Sequence, residues 1–219
     1  MVADLDLGLS LAEVCRALYR RGWMEGTAGN VSARLDESRI LITASGRSKG
    51  ELTRDDVVPV DLWSGRAEPA SSFRPSAETV IHIALYRTVP GCGAVVHSHP
   101  PYATALTVAA ARAGTAEVRF TDFEILKGLG LPDPAEAVIP IFRNWADVPR
   151  IAADVAARYA EAPRPAPPAL LIGFHGATAW GPDLETARNR LECLELLCQL
   201  QLMTATGRPR PAKDPEEDR

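Results

Sequence analysis

Gly93-Ala94-Val95-Val96-His97-Ser98-His99-Pro100 is an apolar, β-branched run that ends in two histidines and is stopped by Pro100-Pro101. Valine favours the pleated conformation and proline cannot continue a ladder, so the run predicts a strand closing near His99. Side chains alternate faces along a strand, which puts His97 and His99 on one face with Val95 beneath them. Two neutral imidazoles side by side at a strand end suit zinc or another divalent transition metal. The ordinary alternative is two histidines that each hydrogen-bond to unrelated neighbours.

The chain holds four histidines in all. His175 follows Leu170-Leu171-Ile172-Gly173-Phe174, a second apolar run, and precedes Gly176. If the two strands share a sheet, His175 closes a three-histidine facial set with His97 and His99. Three protein ligands with one open position is the pattern of a catalytic metal, whereas structural zinc sites are closed by four. His82 lies in a helical pattern beside Val80, Ile81 and Ile83, and is expected to be a packed or hydrogen-bonded helix residue.

With 219 residues and 46% hydrophobic content the chain can bury one sizeable core. A formal charge of −4 argues against nucleic acid as the main partner, which calls for a basic face. No stretch is apolar and long enough for a membrane span, and the start lacks the pattern of a signal peptide. The four cysteines show no Cys-x-x-Cys spacing, so reduced thiols in a cytoplasmic protein are expected.

Residues 1–9 show no pattern, and Ser10 with Glu13 reads as a capping box opening a helix to about Gly22. Strands are predicted at Val31–Leu35, Ile40–Thr43 and Val57–Leu62, the first two as a hairpin. Pro75 is placed in the first turn of a helix through Glu78–Tyr86. Further expectations are a helix at 102–111, strands at 117–120 and 138–142, and a helix from Asp147 to Tyr159. A last helix starts near Asp183, with Leu184, Ala187, Leu191, Leu194, Cys198 and Leu202 as its apolar stripe. Roughly eight strands and five helices with hairpins predict a single α/β domain over residues 1–206. Its architecture is a three-layer α/β/α sandwich around a mixed, largely antiparallel sheet, followed by a disordered tail at 207–219.

Two loops, Gly26-Thr27-Ala28-Gly29-Asn30 and Thr43-Ala44-Ser45-Gly46-Arg47-Ser48-Lys49, offer backbone N–H groups, hydroxyls and positive charge to an anion. Ser76 adds a hydroxyl near a helix N-terminus, where anions are favoured. Glu78 and Glu124 could each serve a divalent metal as ligand or base, and spacing alone distinguishes neither.

The ordered set Gly29-Asn30-Val31-Ser32, Thr43-Ala44-Ser45-Gly46, Arg74-Pro75-Ser76-Ala77-Glu78, His97-Ser98-His99 and His175-Gly176-Ala177-Thr178-Ala179-Trp180-Gly181 resembles the class II aldolase/adducin family, across residues 10 to 205. Four segments are similar to its branch of dehydratases that act on a methylthio-ketose phosphate in methionine salvage. They are Thr43–Lys49, Arg74–His82, Glu124-Ile125-Leu126-Lys127-Gly128-Leu129, and Ile139–Asn144 followed by Asp147-Val148-Pro149. The resemblance implies one zinc ion (Zn2+) per subunit on His97, His99 and His175, and phosphate held near Asn30, Ser45, Gly46 and Ser76. It places Glu124 at the dehydratase acid/base position and Glu78 at the metal-proximal carboxylate of the family's aldolases. It also implies a homotetramer and a small sugar-phosphate substrate; charge and hydropathy, as above, lead to the expectation of no nucleic-acid or membrane partner. Ala77 departs from the aldolases, which carry a second serine there, and Ala177 is smaller than its counterpart in many of the dehydratases. A class II aldolase cleaving a related deoxy-ketose phosphate is the alternative activity, and a non-catalytic adducin-like binding domain is a third.

Overall fold

The computed structural model describes residues 2–131, 135–161 and 166–205; the expected tail at 207–219 lies outside them. The elements run α1 (Val2–Arg20), β1 (Asn30–Arg34), β2 (Arg39–Thr43), β3 (Val57–Asp61), α2 (Thr79–Thr88), β4 (Ala94–Ser98) and α3 (Pro101–Ala113). They continue through β5 (Glu117–Thr121), a 3-10 segment (Glu124–Leu129), β6 (Glu136–Phe142), α4 (Val148–Glu161), β7 (Ala169–Ile172), β8 (Gly176–Gly181) and α5 (Leu184–Ala205). Among the described residues no helix is long and apolar enough to cross a membrane.

The eight strands form one sheet in the order β3-β2-β1-β4-β8-β7-β6-β5. β6 and β7 run parallel and the other neighbours are antiparallel, which is the mixed sheet expected. Alternation along the strands divides the core in two. Val96, Leu171, Ala177 and Ala179 face α1, α3 and α5, whereas Val95, Leu170, Ile172 and Trp180 face α2 and α4. Both faces are thus covered, giving three layers.

The ends of several elements differ from expectation. α1 is already formed at Val2, so Ser10 sits inside it and its hydroxyl donates to the Asp6 carbonyl (3.0 Å) instead of capping. Pro75 is not in a helical turn. It pairs across to Ala44, and Ser45 N–H donates to the Arg74 carbonyl (2.9 Å), which holds this segment extended until Glu78 caps α2. The strand expected to end at His175 is β7, which stops at Ile172; Gly173-Phe174-His175 is the turn of a hairpin that leads into an additional strand, β8.

Candidate metal centre

β4 lies between β1 and β8, so His97 is flanked from both sides, opposite Asn30 on β1 and Thr178 on β8. All three face α2 and α4, the side on which Val95 packs. Two glycines make the crowding possible. A Cβ on Gly29, whose φ is +77°, would sit 3.0 Å from the His97 carbonyl oxygen and 2.9 Å from the Met24 side chain. A Cβ on Gly176 would sit 2.3 Å from the Ser98 carbonyl oxygen and 3.0 Å from the His99 ring. His99 is fixed by its N–H, which donates to the Trp23 carbonyl (2.8 Å), and His175 by its carbonyl, which accepts from Thr104 (3.2 Å).

The three imidazoles converge. Ring centroids of His97, His99 and His175 lie 4.5–5.1 Å apart with the planes nearly perpendicular, and one ligand atom from each falls within 4.8 Å of the others. Zinc–imidazole bonds are about 2.0–2.1 Å, so a small inward shift would bring all three nitrogens onto one ion. Burial holds His99 down at about 4, with His97 and His175 adding to the effect, and burial lowers His175 likewise. Both rings are therefore neutral near pH 7, the form that ligates. His97 Nδ1 pairs with Thr178 Oγ1 (3.0 Å), which orients the ring and leaves Nε2 toward the cluster. His97 Nε2 and His175 Nδ1 are buried without a hydrogen-bond partner, a cost that ligation would remove at His97. The donor set fits a divalent transition metal.

Glu78 completes the cluster from the N-terminus of α2. Its Oε2 lies 3.3 Å from His97 Nε2 and its Oε1 3.2 Å from His175 Nε2, while Asn30 Nδ2 donates to Oε2 (2.6 Å). Burial alone would raise the Glu78 carboxyl, but His97, Asn30 and His175 together outweigh it and bring the group down to about 2. Below, on the same face, Ser32 Oγ lies 2.7 Å from His82 Nδ1 and 3.0 Å from the Tyr86 hydroxyl, so His82 is a hydrogen-bonded core residue.

The structure brings Asn30, Glu78, His97, His99 and His175 together directly. Ser76 is two residues from Glu78, and its Oγ accepts the Glu78 N–H (3.3 Å). Ser45 and Gly46 are exposed on the loop joined to Ser76 by the Ala44–Pro75 pairing, with Gly46 left-handed at φ +71°. Lys49 does not reach solvent. Its Nζ donates to the Thr27 (2.9 Å) and Arg47 (3.0 Å) carbonyls, stapling the two loops side by side. Glu124 is not joined to the histidines by any contact among the described residues. Its side chain is 81% exposed and pairs with Lys127 (3.2 Å), because the 3-10 segment turns Leu126 and Leu129 inward.

Two supporting residues escaped the sequence reading. Thr178 could have been found from the alternation Ala177-Thr178-Ala179-Trp180 once β8 was recognised as a strand. Glu195 on α5 is buried and accepts Tyr102 N–H (2.9 Å) and Ala103 N–H (2.7 Å), capping α3 just beyond His99, where Pro100 has no side-chain cap to offer. No local sequence signal links two residues so far apart.

Residues 10–202 match the family model described as class II aldolase and adducin N-terminal domain. The chain is 51% identical over 201 residues to a bifunctional methylthioribose-1-phosphate isomerase/methylthioribulose-1-phosphate dehydratase of Nocardia farcinica, and spans only 35% of that longer protein. It is 44% identical over 194 residues to the methylthioribulose-1-phosphate dehydratase of Microcystis aeruginosa, covering 88% of this chain and 93% of that one. Among solved structures, L-fuculose-1-phosphate aldolase of Thermus thermophilus is similar with a TM-score of 0.72 at 28% identity, over 93% of this chain and 97% of that one.

Proposed function

The chain belongs to the family of class II aldolase and adducin N-terminal domains, and from that premise we propose that it is a zinc-dependent hydro-lyase of methionine salvage. It converts 5-methylthioribulose 1-phosphate to 2,3-diketo-5-methylthiopentyl 1-phosphate with loss of water. The observation that carries the reading is the three-histidine cluster flanked by Glu78, in a chain that matches the Microcystis dehydratase almost end to end. His97, His99 and His175 hold the ion. When bound, zinc supplies Lewis-acid stabilisation of the negative charge that develops on the substrate's carbonyl and adjacent hydroxyl oxygens.

The chain's own groups do the rest. Dehydration removes a proton from the carbon beside the carbonyl and expels the neighbouring hydroxyl, which leaves as water once it has regained a proton. Glu124 is assigned that removal and return. Its side chain is exposed and pairs with Lys127 (3.2 Å), so this assignment is supported by the resemblance of Glu124–Leu129 to the dehydratases. A homotetramer with the site near a subunit boundary would exclude bulk water. Glu78, kept ionised by its neighbours and held by Asn30, serves as a ligand or auxiliary base. Ser45, Gly46 and Ser76 bind the phosphate, and that remote binding orients the reacting carbons. The setting is the cytoplasm.

The second reading, retro-aldol cleavage of a related deoxy-ketose phosphate, is favoured by Glu78 standing at the histidines themselves. Product analysis with purified, metal-loaded protein and the methylthio-ketose phosphate separates the two. A diketone phosphate supports dehydration; aldehyde and ketone fragments overturn it.

A further inference from the structure

Phe174 combines two unfavourable features. Its backbone is left-handed (φ +57°), and its ring is 64% exposed. The left-handed conformation strains a residue with a side chain, and a glycine would relieve it. Exposure means that the core gives the ring nothing in return. Yet the conformation is enforced from several directions. Phe174 N–H donates to the hydroxyl of buried Thr107 (2.9 Å), Gly173 N–H to the Phe142 carbonyl (2.8 Å), and His175 N–H to the Ile172 carbonyl (3.1 Å). Strain held by such clamping marks a position with a task.

The position of the turn suggests the task. Across the sheet the order is β1, β4, β8, β7, so Asn30 stands on one side of His97 and the Phe174 turn on the other. Neighbouring strands are about 4.8 Å apart, so about 10–14 Å separates the start of β1 from the β7–β8 turn. Eight bonds join the phosphorus of the proposed substrate to its S-methyl carbon, and a zigzag of bonds near 1.5 Å makes this roughly 10 Å. A substrate with its phosphate at the Asn30–Ser45–Ser76 side and its C2–C3 unit over the histidines would extend as far as the β7–β8 turn, which carries Phe174.

We propose that Phe174 is the specificity wall of the site, an aromatic face that receives the thioether tail and selects it over a hydroxyl at the same carbon. Methionine-type sulfur packs favourably against aromatic rings, and the left-handed backbone keeps the ring out of the core for this contact. The inference rests on the dehydratase reading.

Binding of two inert alditols tests it on the metal-loaded full chain: 5-methylthioribitol 1-phosphate and ribitol 1-phosphate. Wild type is expected to prefer the methylthio compound, and Phe174→Ala to reduce that preference about tenfold or more. Phe174→Leu should keep part of it, and Phe174→Gly should lose the preference without losing thermal stability. If Phe174→Ala weakens both compounds equally, or retains the wild-type preference while the oligomer falls apart, the residue is structural or an interface contact and the proposal fails. If wild type binds neither compound, the substrate reading itself has failed, which is a separate result.

Discussion

Replacing Gly176 with alanine tests whether the histidines are held by the close approach of β8 to the end of β4. The new methyl carbon would lie 2.3 Å from the Ser98 carbonyl oxygen and 3.2 Å from His99 Cα. Ordinary contacts need about 3.5 Å, so the two strands must part by about 1 Å, and a backbone carbonyl cannot rotate away. Over-packing of this kind costs about 1–3 kcal/mol. For a chain of this size each kcal/mol lowers Tm by about 2–4 °C, so a fall of about 2–12 °C is expected. The displacement falls on His99 and His175, and misdirected support of ligands lowers metal affinity about 10–100-fold. Thermal melts with and without zinc, and zinc competition against a chromophoric chelator, read both effects. Gly26→Ala is the control: its φ is +60° and nothing lies within 4 Å of the new carbon, so it strains the backbone but should leave zinc affinity unchanged. Wild-type zinc affinity in Gly176→Ala, or equal losses in both variants, would refute the reasoning.

Wild type should carry one divalent metal per chain, and His97→Ala and His99→Ala almost none; elemental analysis showing undiminished metal in both removes the site. Glu124→Gln should lower kcat about 10²- to 10⁴-fold with metal content intact, whereas near-normal turnover there together with a dead Glu78→Gln would transfer the base to Glu78. Ser76→Asp sets a negative charge beside the expected phosphate and should raise KM strongly; an unchanged KM moves the anion site elsewhere. Burial, with His97 adding to it, holds His82 down at about 3 against an ordinary 6.5, so between these values the unfolded chain binds the extra proton. The His82 contribution to stability is therefore complete above about pH 6.5 and is lost as pH falls toward 3. Urea titrations of metal-free protein should show a shallower acid slope in His82→Gln than in wild type; matching slopes would exclude His82 as the source.

The sheet and its helices were legible where side-chain character is strong. Val95-Val96 and Leu170-Leu171-Ile172 announce strands, and the leucine stripe of α5 announces a helix. β8 was not, because four of the six residues in Gly-Ala-Thr-Ala-Trp-Gly are glycine or alanine, which strands disfavour. Those small residues are what the close β4–β8 approach needs. The pair His97 and His99 followed from strand periodicity alone. His175 was associated with them by its setting, although it lies in a turn and not at a strand end. Glu78 was indistinct in sequence because its role depends on where α2 begins. Glu195 was silent, since its partners are two backbone N–H groups more than ninety residues away in the chain.

The pairing of β4 with β8 also has a consequence for biosynthesis. β4 ends at Ser98 and β8 begins at Gly176, so translation must add nearly eighty residues before the strand acquires its second neighbour. At about 5–20 residues per second this interval lasts about 4–16 s. Throughout it, a strand whose five residues are all buried in the finished protein presents one open edge, the arrangement most prone to pairing with another chain. Metal cannot protect the nascent chain, because His175 is made only one residue before β8 starts. Chains cut short within α4 or β7 would therefore be sticky and metal-poor together, and chaperone capture of such fragments should fall away once synthesis passes Gly181.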